Sequence, residues 1–271
     1  FFALFLDRHM MYSSAIYPSP EADLETAATH KLDLICQRLR LAPGMEVLEI
    51  GTGWGGLAIH AAKTRGCCVT TTTISEEQYA HTAQRIKEEG LEDRITLLKQ
   101  DYRQLSGRFD RLISVEMIEA VGHQYLNTYL EKVDSLLTDD GQAMLQAITI
   151  RDQRFEEAKR DMDFIKRYIF PGGFLPSHHA MLTSIMRKTS LNVVALDEIG
   201  QHYARTLREW RHRFEASLDQ VRGQGYDERF IRMWRYYLCY CEGGFIERSI
   251  GTCHLLLAKP AAKPVPLTGA L

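Results

Sequence analysis

The sequence predicts an α/β fold with a mainly parallel sheet, and three observations support this prediction. Runs rich in β-forming residues alternate with longer segments whose apolar residues recur three and four positions apart. One strand-like run passes straight into a glycine-rich turn, "EIGTGWGG", from which a helix-like run leaves. With 271 residues, of which 45% are hydrophobic and 25% charged, the chain is long enough for one domain with an elaborate cap.

Each predicted element rests on a local pattern. Helical spacing of apolar residues indicates the helices, and β-branched runs indicate the strands. Ser75 is the expected N-cap of the third helix, with Gln78 as its capping-box partner and Gly90 as its C-cap. The predicted helices cover 24–39, 54–63, 75–90, 124–137, 152–168, 203–221 and 227–242. The predicted strands cover 45–50, 67–73, 95–99, 109–115, 142–148 and 251–260.

The pattern of elements changes after residue 149, where helices begin to dominate. We expect residues 1–260 to form a single domain, in which about 40–149 make the ligand-binding core and 150–250 a helical lid inserted before the closing strand. The tail, 261–271, contains two prolines and is expected to be flexible. Ligands of such sheets bind outside the carboxyl ends of the strands, so motifs at those ends form the candidate site.

Composition and charge argue against several classes of function. The net charge of −2 gives no support for a nucleic-acid-binding surface. No apolar run approaches the roughly 20 residues of a membrane-spanning helix, and "FFALFL" at the start lacks the basic region and cleavage site of a signal peptide. The six cysteines form no C-x-x-C pair, and His178-His179 has no second cluster at metal spacing. We therefore expect a cytoplasmic protein with free thiols and no metal.

The glycine-rich turn is compatible with several nucleotide-like ligands. Glu49, Gly51 and Gly53 close the first strand, and glycines allow a close approach of the backbone to a ligand. The fingerprint G-x-G-x-x-G is incomplete because Leu57 follows the later glycine pair, and no acidic residue ends the second strand to bind a ribose. An NAD site is therefore disfavoured, and a P-loop is excluded because Gly-Lys-Ser/Thr is absent. A tight turn without a ligand remains the alternative.

The motif "QDYR" at 100–103 follows the third strand. Asp101 can accept a hydrogen bond from an exocyclic amine, and Tyr102 can stack on a purine. Free N–H groups in the glycine turn can bind the amino-acid end of a ligand. These features together suit S-adenosylmethionine.

Seven motifs occur in the order in which one enzyme family has them. They are "MMYSSAIY", "EVLEIGTGWGG", "TISEEQ", "QDYR", "EMIEAVG", "RYIFPGGFLPS" and "YDERFIRMWRYYL". Over about residues 1–260 they resemble the cyclopropane-fatty-acyl-phospholipid synthase family, which includes the mycolic acid cyclopropane synthases and related lipid methyltransferases. The resemblance implies the class I methyltransferase fold, a Rossmann-like, mostly parallel sheet with helices on both faces and a helical substrate lid. It also implies a homodimer and peripheral contact with a membrane.

The family resemblance further implies a reaction and its residues. The methyl group of S-adenosylmethionine is transferred to the double bond of an unsaturated phospholipid acyl chain, and a base, in this family a bound bicarbonate, removes a proton as a cyclopropane ring closes. The residues that would bind the donor are Tyr12, Ser13, Glu49, Gly51, Gly53, Thr73, Gln78, Asp101 and Tyr102. The residues that would form the bicarbonate site are Glu119, Tyr203, Gln146, Ser14 and the backbone at Ile148.

Three positions depart from the family pattern. Ser14 stands where the family often has Cys, Gln146 where it often has His, and Ala120 replaces the His of "F-E-H-V-G". Serine and glutamine can still donate hydrogen bonds to an anion, but neither titrates near neutral pH, so neither can be the base. Without bicarbonate, the intermediate cation would lose another proton or be reduced by a partner. The product would then be a methylene or methyl-branched chain instead of a ring.

Other interpretations of these residues stay open from the sequence. Glu119 could cap the following helix, and Tyr203 could satisfy a backbone carbonyl. The arginine- and aromatic-rich segment 201–240 could line an acyl channel with arginines near lipid phosphates, or could be core packing beside a solvated face. A small-amine N-methyltransferase and a catalytically silent donor-binding module are the alternative functions.

Overall fold

The computed structural model describes residues 1–263, in which seven strands form one sheet. The strands are β1 Glu46–Ile50, β2 Cys68–Thr73, β3 Ile95–Lys99, β4 Phe109–Val115, β5 Leu137–Ile150, β6 Asn192–Glu198 and β7 Ile250–Ala258. Their order across the sheet is β3-β2-β1-β4-β5-β7-β6, with β1 to β5 parallel and β7 antiparallel to both of its neighbours. The predicted α/β fold is confirmed, and the carboxyl ends of β1 to β5 meet at one edge of the sheet.

Helices cover both faces of this sheet. They are α1 Leu24–Arg38, α2 Gly56–Arg65, α3 Glu76–Glu88, α4 Leu126–Ser135, α5 Phe155–Ala158, α6 His178–Lys188, α7 Gly200–Ala216, α8 Leu218–Gly223 and α9 Glu228–Ile246. Alternate residues of β1 belong to different cores, since Leu48 and Ile50 pack with α4 and α6 while Val47 packs with α1 and α2. A third core joins the N-terminal segment to α7 and α9 around the buried rings of Trp210 and Phe214.

The predicted ends of α3 are confirmed, but its capping box is not formed. The Ser75 hydroxyl accepts the Gln78 N–H, and Gly90 just beyond the helix has a φ of +64°. The Gln78 side chain does not return to Ser75. Its Oε1 instead accepts a hydrogen bond of 2.8 Å from the Thr73 hydroxyl. The contact joins two residues predicted to bind the donor.

The prediction of a long helix over 152–168 is wrong. The segment forms only the four-residue α5, preceded by a 3-10 turn and followed by a π-helical turn at Ile165–Ile169. None of these turns has a buried residue, and a helix without a packed apolar face is marginal in water. The region 150–250 is also not wholly helical, because it contains β6, which pairs with β7 and was missed together with α6.

One further boundary differs from the prediction, and the predicted tail is described only in part. β5 begins at Leu137, inside the helix predicted for 124–137, and reaches Ile150. The predicted tail lies, from residue 264 onwards, outside the described residues. None of the helices within 1–263 combines the length and apolar character needed to cross a bilayer. In the same residues no group of three His, Cys, Asp or Glu side chains is arranged to hold a metal ion.

Candidate active site

The turn after β1 presents backbone donors beside open space. Gly51 and Gly53 have φ angles of +101° and +54°, in the left-handed region that glycine tolerates best. The N–H groups of Gly51 and Thr52 both donate to the Thr72 carbonyl, which fixes the turn to β2. The N–H groups of Gly53 and Trp54 have no acceptor within residues 1–263, and a Cβ added to Gly53 would meet nothing within 4 Å. Free N–H groups of this kind fit the carboxylate of an amino-acid moiety.

The buried side chain of Glu49 stabilises the carboxyl end of β1 through a hydrogen bond with the neighbouring strand. Its Oε2 accepts a hydrogen bond of 2.5 Å from the Thr71 hydroxyl, whose oxygen lies 2.6 Å from that of Thr52. Burial raises the pKa of Glu49 to about 8, while the Thr71 hydrogen bond opposes this change. The carboxyl group is therefore mainly neutral at pH 7, and it stabilises the strand end on which the glycine turn begins.

The remaining predicted donor residues lie at the ends of β2 and β3. Thr73 and Gln78 are joined as described, and Asp101 caps the 3-10 turn that follows β3. The Asp101 carboxylate also pairs with its neighbour Arg103, at 2.9 Å from Nε to Oδ1 and 2.7 Å from Nη2 to Oδ2. The Tyr102 ring packs edge-on against Tyr129 at 5.6 Å between centroids. All four residues thus lie at the predicted edge of the sheet, although both carboxylate oxygens of Asp101 already accept hydrogen bonds from Arg103.

Glu116 is the functional residue that the sequence analysis missed. It follows β4 directly and accepts three hydrogen bonds on its carboxylate. The Ser14 N–H and the Gln146 Nε2 donate to Oε1 at 3.0 and 2.7 Å, and the Tyr203 hydroxyl donates to Oε2 at 2.7 Å. Three groups predicted to surround bicarbonate therefore surround a carboxylate of the chain itself. An acidic residue in "SVEMIEAVG", at the carboxyl end of a parallel strand, was a signal that could have identified it.

The sheet register aligns the groups behind Glu116. Gln146 on β5 is paired with Val115 of β4 and with His254 of β7. His254 Nε2 lies 2.8 Å from the Gln146 Oε1. Burial lowers the pKa of His254 to about 3, so the imidazole is neutral and its N–H can donate to this oxygen. This bond orients the Gln146 amide so that its NH2 group faces Glu116.

Ser14 reaches the site through its backbone and not through its side chain. Its hydroxyl donates to the Ala15 carbonyl at 2.9 Å, whereas its N–H donates to Glu116. The segment is held against α7 because the Ala15 N–H donates to the Thr206 hydroxyl at 3.1 Å. The difference between Ser and Cys at position 14 is therefore small for this contact.

Glu119 lies beside Glu116 in a 3-10 turn. Its Oε1 accepts the Ile148 N–H at 2.5 Å, while its Oε2 is buried without a partner in residues 1–263. Burial and, second, the charge of Glu116 raise the pKa of Glu119 to about 8. Glu119 does not cap α4, and Tyr203 bonds a carboxylate and not a backbone carbonyl, so both structural alternatives are wrong.

A buried lysine, also missed, supplies positive charge to the site. Lys31 of α1 is fully buried, and its Nζ donates to the Ser13 hydroxyl at 2.7 Å. Burial lowers the pKa of Lys31 to about 8, opposed by Glu116 first and then by Asp7 and Glu49. Nearby, the Tyr12 hydroxyl donates to that of Tyr237 at 2.9 Å. Tyr12 and Ser13, both predicted to bind the donor, thus form hydrogen bonds with Tyr237 and with the buried Lys31.

The raised pKa of Glu119 has a measurable consequence for stability. Folded protein keeps a proton that the unfolded chain releases between pH 4.5 and about 8. The free energy of unfolding should therefore fall as pH rises through this interval, by at most about 1.4 kcal/mol per pH unit for one group. Glu119→Gln cannot titrate, so its urea midpoint should fall less between pH 5 and pH 8 than that of the wild type. Equal falls in both proteins would contradict the assignment.

The sheet order and the glycine turn at the end of β1 define a class I methyltransferase. The chain belongs to the mycolic acid cyclopropane synthetase family, whose model matches residues 1–255. Two solved cyclopropane synthase structures, MmaA2 from Mycobacterium tuberculosis and CmaA1 complexed with SAH and CTAB, each superpose with a TM-score of 0.88 at 27% identity. Each comparison covers 95% of this chain and 93% of the other. The resemblance predicted from the motifs is confirmed.

Relatives similar in sequence include enzymes with different products. A tuberculostearic acid methyltransferase of Mycobacterium tuberculosis is 39% identical over 90% of this chain and 58% of its own length. The cyclopropane-fatty-acyl-phospholipid synthase of Escherichia coli K12 is also 39% identical, over 92% of this chain and 62% of its own length. The chain thus spans about three fifths of the length of these relatives, and identity alone does not separate the two reactions.

Proposed function

We propose that the protein transfers the methyl group of S-adenosylmethionine to the double bond of an unsaturated fatty acyl chain of a phospholipid. The observation that supports this proposal is the pair of buried carboxyl groups, Glu116 and Glu119, enclosed between the glycine turn and a shell of aromatic rings. Carboxyl groups in such a place stabilise positive charge that develops on an apolar substrate. A base is also at hand for the proton that the product must lose.

The donor side of the site fits S-adenosylmethionine. When bound, the donor supplies an electrophilic methyl group. The free N–H groups of Gly53 and Trp54 would hold its amino-acid end, and Asp101 and Tyr102 would face its adenosine. Glu49 would act by holding the strand end and not by pairing with a charged donor, because its carboxyl group is mainly neutral.

The proposed acceptor side is lined by aromatic rings, one of which reaches the surface. The half-exposed Phe170 ring lies 6.3 Å from that of Tyr12 and 6.1 Å from that of Tyr237, between centroids. The loop that carries Phe170 is tied to the site, since the Phe174 N–H donates to the Glu119 carbonyl at 2.9 Å. Aromatic rings thus extend from the half-exposed Phe170 to Tyr12 and Tyr237, and an apolar lining of this kind suits an acyl chain better than a small amine.

Exposed apolar side chains of the same region support the proposed peripheral contact with a membrane. They are Met162, Tyr168, Phe170, Tyr236 and Tyr240. The rings of Tyr168, Tyr236 and Tyr240 lie 5.6, 4.7 and 6.1 Å from that of Phe164, between centroids, and a group of exposed apolar side chains is typical of a lipid-facing surface. Contact of this face with a cytoplasmic membrane surface, and a homodimer, belong to the proposal.

Five arginines of the same region are engaged in ion pairs. Arg208 and Arg211 pair with Glu242, and Arg235 pairs with Glu215. Arg213 and Arg222 pair with Glu25 and Glu228. Arg229 and Arg232 of α9 are exposed and form no ion pair within residues 1–263, so these two are the arginines left to contact a lipid phosphate.

We propose cyclopropane closure as the main outcome, with a methylene or methyl-branched chain as the second. Ring closure needs a base that removes a proton from the transferred carbon, and Glu116 offers one. The same carboxylate also supports the second outcome. Because it is attached to the chain, it cannot move as a free bicarbonate ion does, and this changes which proton the base removes. The relatives leave both outcomes open, since a tuberculostearic acid methyltransferase and a cyclopropane-fatty-acyl-phospholipid synthase are equally similar to this chain, at 39% identity.

Mass spectrometry of phospholipids after incubation with methyl-deuterated S-adenosylmethionine tests this function. Lipids with monounsaturated chains should gain label, and matched lipids with saturated chains should gain none. A ring or a methylene group retains two of the three deuterium atoms, and NMR of the chain then distinguishes them. A saturated methyl branch needs an added hydride donor, and it retains two deuterium atoms if the methylene group is reduced and three if the cation is reduced directly. Label in small amines, or donor binding without any transfer, would overturn the lipid proposal.

A further inference from the structure

The predicted bicarbonate site is already filled by side chains of the protein. Three of its predicted residues bind Glu116: Gln146 and Tyr203 do so through their side chains, and Ser14 does so through its backbone N–H and not through its hydroxyl. The Ile148 N–H, the fourth predicted donor, binds Glu119. A separate anion would find these donors occupied and would lie against two carboxyl groups, one of them ionised. The residues present therefore do not fit bicarbonate.

From this arrangement, which we interpret within the proposed methyl transfer, we propose that the Glu116 carboxylate is the catalytic base and that the reaction needs no bicarbonate. The chain itself then provides the anion that the family resemblance assigns to a bound molecule. Gln146, Ser14 and Tyr203 then act as positioning residues, because their hydrogen bonds hold the Glu116 carboxylate in place.

The backbone of Glu116 supports this role. Its φ is +49°, a left-handed conformation that any side chain with a Cβ disfavours and that glycine adopts freely. Three other non-glycine residues have similar angles. Arg40 and Arg248 each follow the C-cap of a helix, where this conformation is common, and Met10 lies in a turn of the N-terminal segment, where its N–H donates to the Asp7 carbonyl. Glu116 instead follows a strand. Strain of this kind persists where the side chain has a function that the surrounding structure enforces.

Hydrogen bonding distinguishes Glu116 from Glu119 as the ionised group. Glu116 accepts three hydrogen bonds, and the two on Oε1 come from groups that can only donate. Burial raises the pKa of Glu116, but its three hydrogen bonds and the charge of the buried Lys31 act in the opposite direction. Glu119 accepts one hydrogen bond, and its other oxygen has no partner in residues 1–263. Glu119 is thus the neutral neighbour, and Glu116 is the proton acceptor.

The proton transfer is balanced without any further reactant. The alkene takes the methyl carbon from the sulfur of S-adenosylmethionine, so that the S–C bond breaks, S-adenosylhomocysteine leaves, and positive charge lies on the other alkene carbon. A Glu116 oxygen takes one proton from the transferred carbon, and the electron pair of that C–H bond forms the second C–C bond of the ring. Glu116 becomes a carboxylic acid and returns its proton to solvent before the next turnover.

Two substitutions at position 116 test the assignment. Glu116→Gly removes the base, relieves the backbone and opens the anion site, so turnover in CO2-free buffer should fall at least about 100-fold and recover when bicarbonate is added. Glu116→Gln keeps the shape and fills the site, so it should fold, lose turnover and not be rescued. Arg40→Gly makes the same backbone change at an exposed position remote from the site, and should behave as the wild type.

A binding measurement without substrate complements turnover. Bicarbonate should raise the melting temperature of Glu116→Gly but leave those of the wild type and Glu116→Gln unchanged, with chloride as the ionic-strength control. Wild-type turnover that requires bicarbonate, full turnover in Glu116→Gln, or an equal thermal shift in the wild type would each overturn the inference. If the wild type methylates no lipid, the proposed function fails, and the thermal shifts still decide whether Glu116 occupies the anion site.

Discussion

Lys31→Met should lower the free energy of unfolding by about 3–5 kcal/mol, the usual cost of removing one partner from a buried group of charges. Lys31 is fully buried, and the carboxyl groups that stabilise its charge are Glu116, Asp7 and Glu49. Without the ammonium group, Glu116 would lose its nearest opposite charge and would tend to bind a proton. Urea unfolding at pH 7 measures the stability, and the loss of turnover should exceed what the unfolded fraction explains.

Lys63→Met is the matched control for this substitution. Lys63 pairs with Glu89 at 2.5 Å on the surface, where its side chain is 60% exposed. Exposed ion pairs contribute about 0–1 kcal/mol, so this variant should be nearly as stable as the wild type. Equal effects of the two substitutions would show that Lys31 does not balance the buried carboxyl groups.

Gly51→Val should reduce the affinity for S-adenosylhomocysteine at least about 100-fold, equivalent to roughly 3 kcal/mol of binding free energy. A Cβ at this position would lie 3.2 Å from the Met117 Cγ, and the φ of +101° is a region that β-branched residues avoid. Both effects displace the turn whose N–H groups we assign to the donor. Isothermal titration calorimetry with the purified variant measures this affinity.

Gly44→Val separates backbone strain from loss of the donor site. Gly44 has a φ of +81° but no atom within 4 Å of an added Cβ, and it lies before β1, away from the turn. Both variants should lose about 1–3 kcal/mol of stability from backbone strain. Only Gly51→Val should lose donor affinity, and a similar loss in Gly44→Val would contradict the assigned role of the turn.

The buried ionisable groups around Lys31 differ in charge at pH 7. Burial raises the pKa of both Glu49 and Glu119 to about 8, so each is mainly protonated, while Lys31 with a pKa of about 8 is mainly charged. The carboxyl groups that stabilise the Lys31 charge also include Glu116, with three donors, and Asp7, which accepts the His9 and Met11 N–H groups. The negative charge at the proposed reaction site therefore lies on Glu116, and Lys31 of α1 stabilises this charge.

Much of the fold could be predicted because its signals are local. Ser75 as an N-cap and Gly90 beyond the helix end follow from the chemistry of single turns, and both predictions are confirmed. The helix over 152–168 failed because periodicity alone cannot show whether an apolar face finds a partner. The strand β6 was missed although "NVVALDE" is rich in β-forming residues, since its pairing with β7 depends on a segment more than 50 residues away.

The family, the α/β fold and the turn expected to bind the donor could all be predicted from the sequence, because contiguous motifs encode them. The group that lies at the predicted anion site depends on tertiary contacts. Glu116 meets Ser14, Gln146 and Tyr203 across 102, 30 and 87 positions of the chain. Such contacts depend on sheet register and on how α7 and the N-terminal segment pack over the strand ends. No local pattern records them, so a site predicted to bind an anion from solution proved to contain a carboxylate of its own chain.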